Sequence, residues 1–497
     1  MLNRGAPRRL FPAQGILVLL MAALLGMQSC AVKRGTTKKN TEVSLPARVL
    51  APKTEGLNLE QEFISVLKNS SAVLPYPQWI QAAYQKKNYE PVLLSKLMEG
   101  KGPALLFDYL MAAADHGLDP RLFSANELRK QLETYTKTGA PDAESYRKTM
   151  ELELRVAAAL IRYSVAMQFG VSNPAKVYAL YSTATRRPDS TYILRIFDMK
   201  QLKNYLDSLQ PTAKQYLALQ RTLKTEQLEP GKSAESICRN LALNMERLRW
   251  QNKPAAQKYV RVNIAGFGLD VIENGKSVLN MKVCVGESGE KATPQLSSMV
   301  HSVQVNPVWN IPLSIAIAET TRHAAEDRYY LANNNINVYR KGKLVSDPES
   351  IDWTVEDPGS YTFKQQPGVK NALGKIKFLF KNQSSVYLHD TPVQKPFNKW
   401  YRAISHGCVR VEKPLELAFA LFADGKKYQQ VKSAMDSGYP RAKYIGLPRQ
   451  VPIWITYYTA WADVNGVIHF YNDVYGLDRQ LDSYLQKINE GKTTVDL

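Results

Sequence analysis

At Tyr259 the apolar spacing of this chain changes from a helical repeat to strict alternation, so helices must come first and strands afterwards. Upstream, Leu59, Phe63, Val66 and Leu67 stand at helical spacing. Glu151 to Phe169 predicts the strongest helix, its wide apolar face suited to the centre of a bundle and Gly170 acting as its stop. Ser124 with Glu127 reads as a capping box opening a helix through Leu132. Ala234 to Trp250 reads as a bridge helix. Downstream, Val260, Val262 and Ile264 alternate with polar residues, and Asn274-Gly275 stands before a return strand from Val278 to Val285. Asn-Gly between alternating runs predicts a type I′ hairpin. The expected class is therefore α+β multidomain: an α-helical domain followed by a mostly β domain. From Ile315 to about Gln365 a polar stretch rich in Asn, Arg and Tyr interrupts the β pattern, and long inserts of this kind often act as lids.

A chain of 497 residues is too long for one ordinary domain, and its 44% apolar content is enough for packed cores. The formal charge of +20 suits an anionic partner such as lipid head groups, a wall polymer or nucleic acid. No zinc-finger spacing, RNA-binding signature or Walker loop accompanies that charge, so nucleic acid is not an expected partner. Four cysteines at wide, irregular spacing do not make a disulfide framework.

Residues 1–30 read as an export signal: Arg4, Arg8 and Arg9 give a basic start, and Gly15 to Leu25 is a short apolar run. The run ends at Gly26-Met27-Gln28-Ser29-Cys30, which resembles a bacterial lipoprotein cleavage site with Cys30 as the lipidated residue. The other reading is a plain secretory peptide with Cys30 incidental. Either way the chain is expected to be exported to the periplasm or cell envelope, held at a membrane by a lipid anchor in the first case. Residues 31–55, with Lys33, Arg34, Lys38, Lys39, Arg48 and Lys53, read as a basic flexible tether.

The chemistry concentrates at His389-Asp390 and at Ser405-His406-Gly407-Cys408-Val409-Arg410, which bring a thiol, two imidazoles and a fixed cation within 22 positions. Val386-Tyr387-Leu388 reads as a strand delivering His389 to its end. Cys408 follows Gly407, which permits a tight turn. A free thiol is only a few per cent ionised at neutral pH and needs an imidazole partner to become a nucleophile. His389, Asp390, His406 and Cys408 do not read as a zinc set, because His-x-Cys spacing is foreign to the usual zinc patterns. Neither metal nor cofactor is expected. Cys238 and Cys284 read as small buried hydrophobes, and His116 as a residue that caps carbonyls or packs.

His389 with Ser405-His406-Gly407-Cys408 and Arg410 resembles the signature of the L,D-transpeptidases (YkuD-type catalytic domain), enzymes that cross-link bacterial peptidoglycan. Asn244 to Trp250, Thr293-Pro294, Asn306 to Pro312, Pro367 to Phe378 and Tyr471 to Gly476 fit the same family in order. Tyr84 to Pro91, Ala114 to Leu118, and Gln210-Pro211 with Tyr216 and Leu219 resemble the scaffold domain of the large YcbB-like members. The resemblance implies a scaffold domain over 56–235 and a catalytic domain over 236–480, with a capping insert at about 315–365 and a polar tail at 481–497. It also implies that the peptidoglycan-binding module common in those large enzymes is missing here.

By the same resemblance Cys408 is the nucleophile and His389 the base, oriented by the backbone carbonyl of Asp390. His406 supports the site, and amides around Gly407 and Cys408 are oxyanion-hole candidates. Arg410 either holds a substrate carboxylate or braces the turn through an ion pair. Tyr387, Ser405, Arg402, Trp309 and Trp400 are candidate substrate contacts, with core packing an equal reading for the two tryptophans. The helix expected from Pro414 to Phe419 would cover the site. The implied partners are peptidoglycan stem peptides as donor and acceptor, and carbapenem-type inhibitors. The implied reaction is 3→3 cross-linking; the alternatives are an L,D-carboxypeptidase or cross-link hydrolase with the same nucleophile, and a non-catalytic wall-binding lipoprotein.

Overall fold

The computed structural model describes residues 58–70, 74–98, 101–135, 143–225, 233–250, 256–437 and 441–493; the expected export signal, Cys30 and the basic tether lie outside them. The chain is helical in its first half and β-rich in its second. The central helix runs from Ala143 to Phe169, eight residues longer at its start than the apolar pattern predicted. Those extra turns are held by tertiary contacts: Tyr146 is buried and its hydroxyl donates to the Tyr89 carbonyl at 2.7 Å. On the same helix the fully buried Glu153 carboxylate accepts from the amides of Val92, Leu93 and Leu94 and from the Tyr84 hydroxyl, all within 2.8 Å. It thereby satisfies the otherwise orphaned amides at the start of the short helix Leu93–Leu97.

Gly170 ends the central helix with φ +81°, and a Cβ there would come within 2.6 Å of Glu246 Oε1. That carboxylate belongs to the bridge helix Ala234–Trp250 and binds the amides of Val171 and Ser172, the Ser172 hydroxyl and the Trp250 indole. The helix expected after Ser124 is present at Ala125–Tyr135. Ser124 itself is left-handed (φ 51°) and closes the turn Pro120–Phe123, whereas a capping-box residue is extended. His116 is buried against Tyr216, Nδ1 to hydroxyl 3.1 Å, and Gln220, in keeping with a packing role.

The β half opens with a meander after one outlying strand. β1 (Tyr181–Ser182) comes from the helical half; β2 (Lys258–Asn263), β3 (Gly268–Glu273) and β4 (Lys276–Gly286) follow. The β3–β4 turn has Asn274 and Gly275 both at positive φ (50° and 77°), the expected type I′ geometry. Next come β5 (Gln295–Val305), β6 (Trp309–Ile311), β7 (Ile336–Arg340), β8 (Lys343–Leu344) and β9 (Tyr361–Gln365). Then come β10 (Ile376–Phe380), β11 (Leu388–His389), β12 (Ala403–Ser405), β13 (Val409–Val411) and β14 (Lys443–Thr456), and a separate hairpin of β15 (Ala460–Ala462) and β16 (Ile468–Phe470) follows. The main sheet runs β1-β5-β10-β11-β13-β4-β3-β2-β14, with β12 beside β4, and β14 also pairs β5, which closes the path on itself. Val283, Val285, Val303, Phe378, Leu388, Val409 and Val411 fill its apolar side.

Strands β6 to β9 form a separate sheet in the order β6-β9-β7-β8. Its core contains Ile311, Leu331, Val338, Trp353 and Phe363. The capping insert is thus a folded subdomain, and it begins at Trp309 rather than near Ile315 because Trp309 pairs with Gln365 across β6 and β9. The helix Pro414–Phe422 is also placed differently from expectation. It buries Leu417, Ala418, Leu421 and Phe422 in the same core as Leu388 and Val409. Because side chains alternate along a strand, that core lies on the opposite face from His389 and Arg410, so the helix backs the site instead of covering it.

The two halves are joined by buried polar contacts. Arg247 of the bridge helix binds Asp478 of the C-terminal helix Leu477–Asn489 at 2.5 Å and the Tyr178 hydroxyl at 3.1 Å. Asn244 of the bridge helix bonds Thr459 beyond β14.

Candidate active site

Strand register creates a transverse polar row across the sheet. Gln304 on β5 pairs with Lys377 on β10, Lys377 with His389 on β11, His389 with Arg410 on β13, and Arg410 with Cys284 on β4. Paired residues share a face, so these five side chains lie on the side away from the apolar core. Cys408 and Tyr387 stand just before β13 and β11, two residues ahead of Arg410 and His389, and their side chains meet each other.

His389 is 5% exposed, and its Nδ1 lies 2.6 Å from the Asp390 carbonyl oxygen. A carbonyl can only accept, so Nδ1 carries the proton and Nε2 presents its lone pair. Asp390 is itself fixed: its carboxylate accepts from the amides of Lys375 (2.8 Å) and Thr391 (2.7 Å), and its amide donates to the Ile376 carbonyl. Gly374, at φ +59°, makes room for that carboxylate, since a Cβ would come within 2.3 Å of Asp390 Oδ2. Burial pushes the His389 imidazole down to about 3, with Arg410 and Lys377 adding to the effect. Burial also raises the Cys408 thiol, against the opposing pull of Tyr387, Lys377 and Arg410. The resting pair is a neutral thiol and a neutral imidazole.

The Tyr387 hydroxyl interacts with the Cys408 sulfur and with the Trp309 indole, and the Tyr387 ring meets His389 edge-on at 5.7 Å. Trp309 therefore stands where the insert meets the Cys408 turn, half-buried between the insert's core and Tyr387. Trp400 is 75% exposed, so core packing does not describe it. Arg410 is half-buried and, among the described residues, has no carboxylate within ion-pair distance, so it does not brace the turn through an ion pair.

Two expected substrate contacts are in fact internal braces. Ser405 is buried; its hydroxyl donates to the Cys408 carbonyl at 2.5 Å and accepts from the Gly407 amide at 3.3 Å. Arg402 donates to the carbonyls of Val283, Lys399 and Phe267 and lies over the Phe267 ring, which takes up its guanidinium. Both assignments failed for the same reason: a sharp turn leaves backbone groups that nearby polar side chains must satisfy. The Gly407 amide is likewise occupied, whereas the Cys408 amide has no acceptor among the described residues.

The turn is braced by residues that the sequence placed in motifs without giving them roles. Gly407 adopts φ +111°. The Thr293 hydroxyl donates to its carbonyl and accepts from the Gly286 amide, both at 2.8 Å. The Tyr475 hydroxyl donates to the Gly286 carbonyl at 2.5 Å and accepts from the Thr293 amide at 3.2 Å. His406 meets the cap: its Nε2 lies 2.8 Å from Glu319 Oε1, close enough for an ion contact but out of line for a hydrogen bond. Lys377, whose ammonium lies 5.2 Å from the centre of the Tyr387 ring, is a further site residue without an assigned role.

Comparison with known proteins gives two family matches: the L,D-transpeptidase catalytic domain (YkuD) over residues 257–421 and a Scaffold domain over residues 78–223. A Haemophilus influenzae protein named "Putative L,D-transpeptidase" is 31% identical over 315 residues, covering 62% of this chain and 63% of that protein, so the match spans less than two thirds of the relative's length. Among solved structures, an L,D-transpeptidase from Mycobacterium smegmatis covers 40% of this chain and 59% of its own at 14% identity, with a TM-score of 0.20. The Ldtfm-avibactam carbamoyl enzyme covers 40% and 49% at 10% identity, also with a TM-score of 0.20. At such scores the structural likeness carries no weight beside the sequence matches. The chain carries a YkuD-type L,D-transpeptidase catalytic domain behind a Scaffold domain.

Proposed function

We propose that this chain forms 3→3 peptidoglycan cross-links through a thioester on Cys408. The observation that carries the reading is the His389 tautomer, fixed by the Asp390 carbonyl at 2.6 Å, on the strand beside the Cys408 turn. In the proposed reaction Cys408 Sγ attacks the carbonyl of the third residue of a tetrapeptide stem while its proton passes to His389 Nε2. The oxyanion is met by the Cys408 amide. The bond to the terminal D-Ala breaks, and His389 returns the proton to the departing amine. The side-chain amine of a second stem then attacks the thioester and gives its proton to His389, and the Cys408 thiolate leaves. Arg410, with no ion-pair partner among the described residues, is the proposed hold on a donor carboxylate. The cap, resting on Trp309 and His406, supports a site from which water is kept out during the thioester's lifetime. Carbapenem-type acylation of the same thiol belongs to this reading. Export, with a lipid anchor on Cys30, is proposed from the N-terminal sequence alone.

The test is incubation of the protein from residue 31 onward with tetrapeptide muropeptides, with products and intact protein followed by mass spectrometry. A dimer lacking one terminal D-Ala and dependent on Cys408 is the expected product. Tripeptide alone would replace transpeptidation by the hydrolytic reading. Absence of both adduct and product would favour the non-catalytic one.

A further inference from the structure

Lys377 is a partly buried cation with no counter-charge of its own among the described residues. Its ladder neighbours are Gln304 and His389. Gln304 is neutral and 4% exposed, with its Oε1 buried and unpartnered. His389 is neutral because burial holds its imidazole far below the usual range. The Asp390 carboxylate is bound to backbone amides, and Glu319 of the cap lies against His406. Among the described residues no carboxylate stands within ion-pair distance of Lys377. Burial works against its charge, and the group that works for it is Cys408. Keeping an ammonium half out of water with no partner is unfavourable unless an anion forms beside it. On this face, the group that becomes an anion during the reaction is the Cys408 sulfur.

The geometry connects the two. The Lys377 ammonium sits over the Tyr387 ring at 5.2 Å, and the hydroxyl of that ring meets the Cys408 sulfur. Three groups act on the sulfur: Tyr387 just before β11, Lys377 from β10, and Arg410 two residues further on. The tyrosine supplies a hydrogen bond and the two cations supply charge. Arg410, with no carboxylate partner among the described residues, can be engaged by substrate, which would remove its support from the sulfur at the moment of attack. Lys377 lies behind the tyrosine ring and stays.

We propose that Lys377 is a positioning residue that holds the Cys408 thiolate across the Tyr387 ring, leaving Arg410 free for the substrate. The inference rests on Cys408 being the nucleophile of the proposed reaction, but its test needs no peptidoglycan. Wild type, Lys377→Met and Lys377→Arg are treated with iodoacetamide over a range of pH, and alkylation of Cys408 is quantified by peptide mass spectrometry. A nearby cation lowers the midpoint of a thiol, and removing it raises that midpoint. The alkylation midpoint should therefore rise by about one unit or more in Lys377→Met, a tenfold loss of thiolate at fixed pH, and return toward wild type in Lys377→Arg. Cross-linked dimer should fall about tenfold in Lys377→Met. An unchanged midpoint in folded Lys377→Met overturns the proposal, even if turnover is lost, because Lys377 would then act on the substrate. If the Met variant does not fold, Lys377→Gln is read by the same criterion. A wild type that alkylates normally but makes no product counts against the proposed function, and the midpoint shift still decides the role of Lys377.

Discussion

Glu319 on the cap and His406 in the nucleophile turn meet at 2.8 Å, tying a subdomain with its own core to the loop that carries Cys408. Both side chains are partly exposed, 45% and 25%, so the contact is worth at most about 1 kcal/mol. It should govern cap motion rather than global stability. Glu319→Ala should leave the melting temperature unchanged while hydrogen exchange over residues 316–326 rises by up to about fivefold, which corresponds to about 1 kcal/mol. Equal exchange in both proteins would show that the cap is held by Trp309 and its packing alone.

Cys408 is the thiol on the polar face that is open enough to react; Cys238 and Cys284 are buried. Cys408→Ala should abolish acyl-enzyme formation, seen as loss of the mass increment, with no loss of fold by circular dichroism. Cys284 is completely buried across the ladder from Arg410, so Cys284→Ala should cost about 1 kcal/mol of stability and only a few-fold in turnover. Complete loss of turnover in well-folded Cys284→Ala would give that thiol a part in the chemistry.

Much of this arrangement was legible before the fold was known. The change of period at Tyr259 separates the two halves because helices and strands bury apolar residues at different intervals, and Asn274-Gly275 marks its hairpin because both residues tolerate positive φ. Other features depend on register and direction, which no local pattern encodes. The amphipathic run from Pro414 shows that Leu417 and Leu421 must be buried, but not against which side of the sheet. Ser405 and Arg402 look like ligand contacts in a list of polar residues near a thiol, and only the path of the turn reveals the carbonyls and amides they satisfy. Lys377 sits in a motif many positions from His389 and becomes its neighbour only when β10 and β11 pair. Thr293 and Tyr475 converge on Gly286 from more than a hundred and eighty positions apart.

His116 offers a pH test that can be isolated from every other group. Burial, with Arg249 nearby, pushes its imidazole down to about 4, against an ordinary value near 6.5. A lowered value means that the unfolded chain takes up the proton first. Its contribution to stability is therefore complete above about pH 6.5 and is lost as pH falls toward 4. The loss should approach 1.4 kcal/mol per pH unit at most. His116→Gln can keep a polar contact to Tyr216 without titrating, so its stability should fall less steeply than wild type between pH 6.5 and 4.5. Taking the difference of the two slopes cancels the other titrating groups, and parallel slopes in urea unfolding would mean that His116 takes up its proton as readily in the folded chain as in the unfolded one.

Thr293 is the most economical probe of the nucleophile turn, because one buried hydroxyl both donates to the Gly407 carbonyl and accepts from the Gly286 amide. Thr293→Val keeps the shape and deletes both bonds, leaving a buried donor and a buried acceptor unsatisfied. Each such group costs roughly 1–3 kcal/mol. Gly286 cannot move closer to compensate, since its Cα position is already hemmed in by Gly407 and by the Lys291 carbonyl. The turn is therefore expected to shift, taking Cys408 out of line with Tyr387. The variant should unfold at a lower temperature by thermal denaturation and, at a temperature where it remains folded, acylate at least about tenfold more slowly. A destabilised variant that acylates at the wild-type rate would show that the turn keeps its shape through Ser405 and Tyr475 alone.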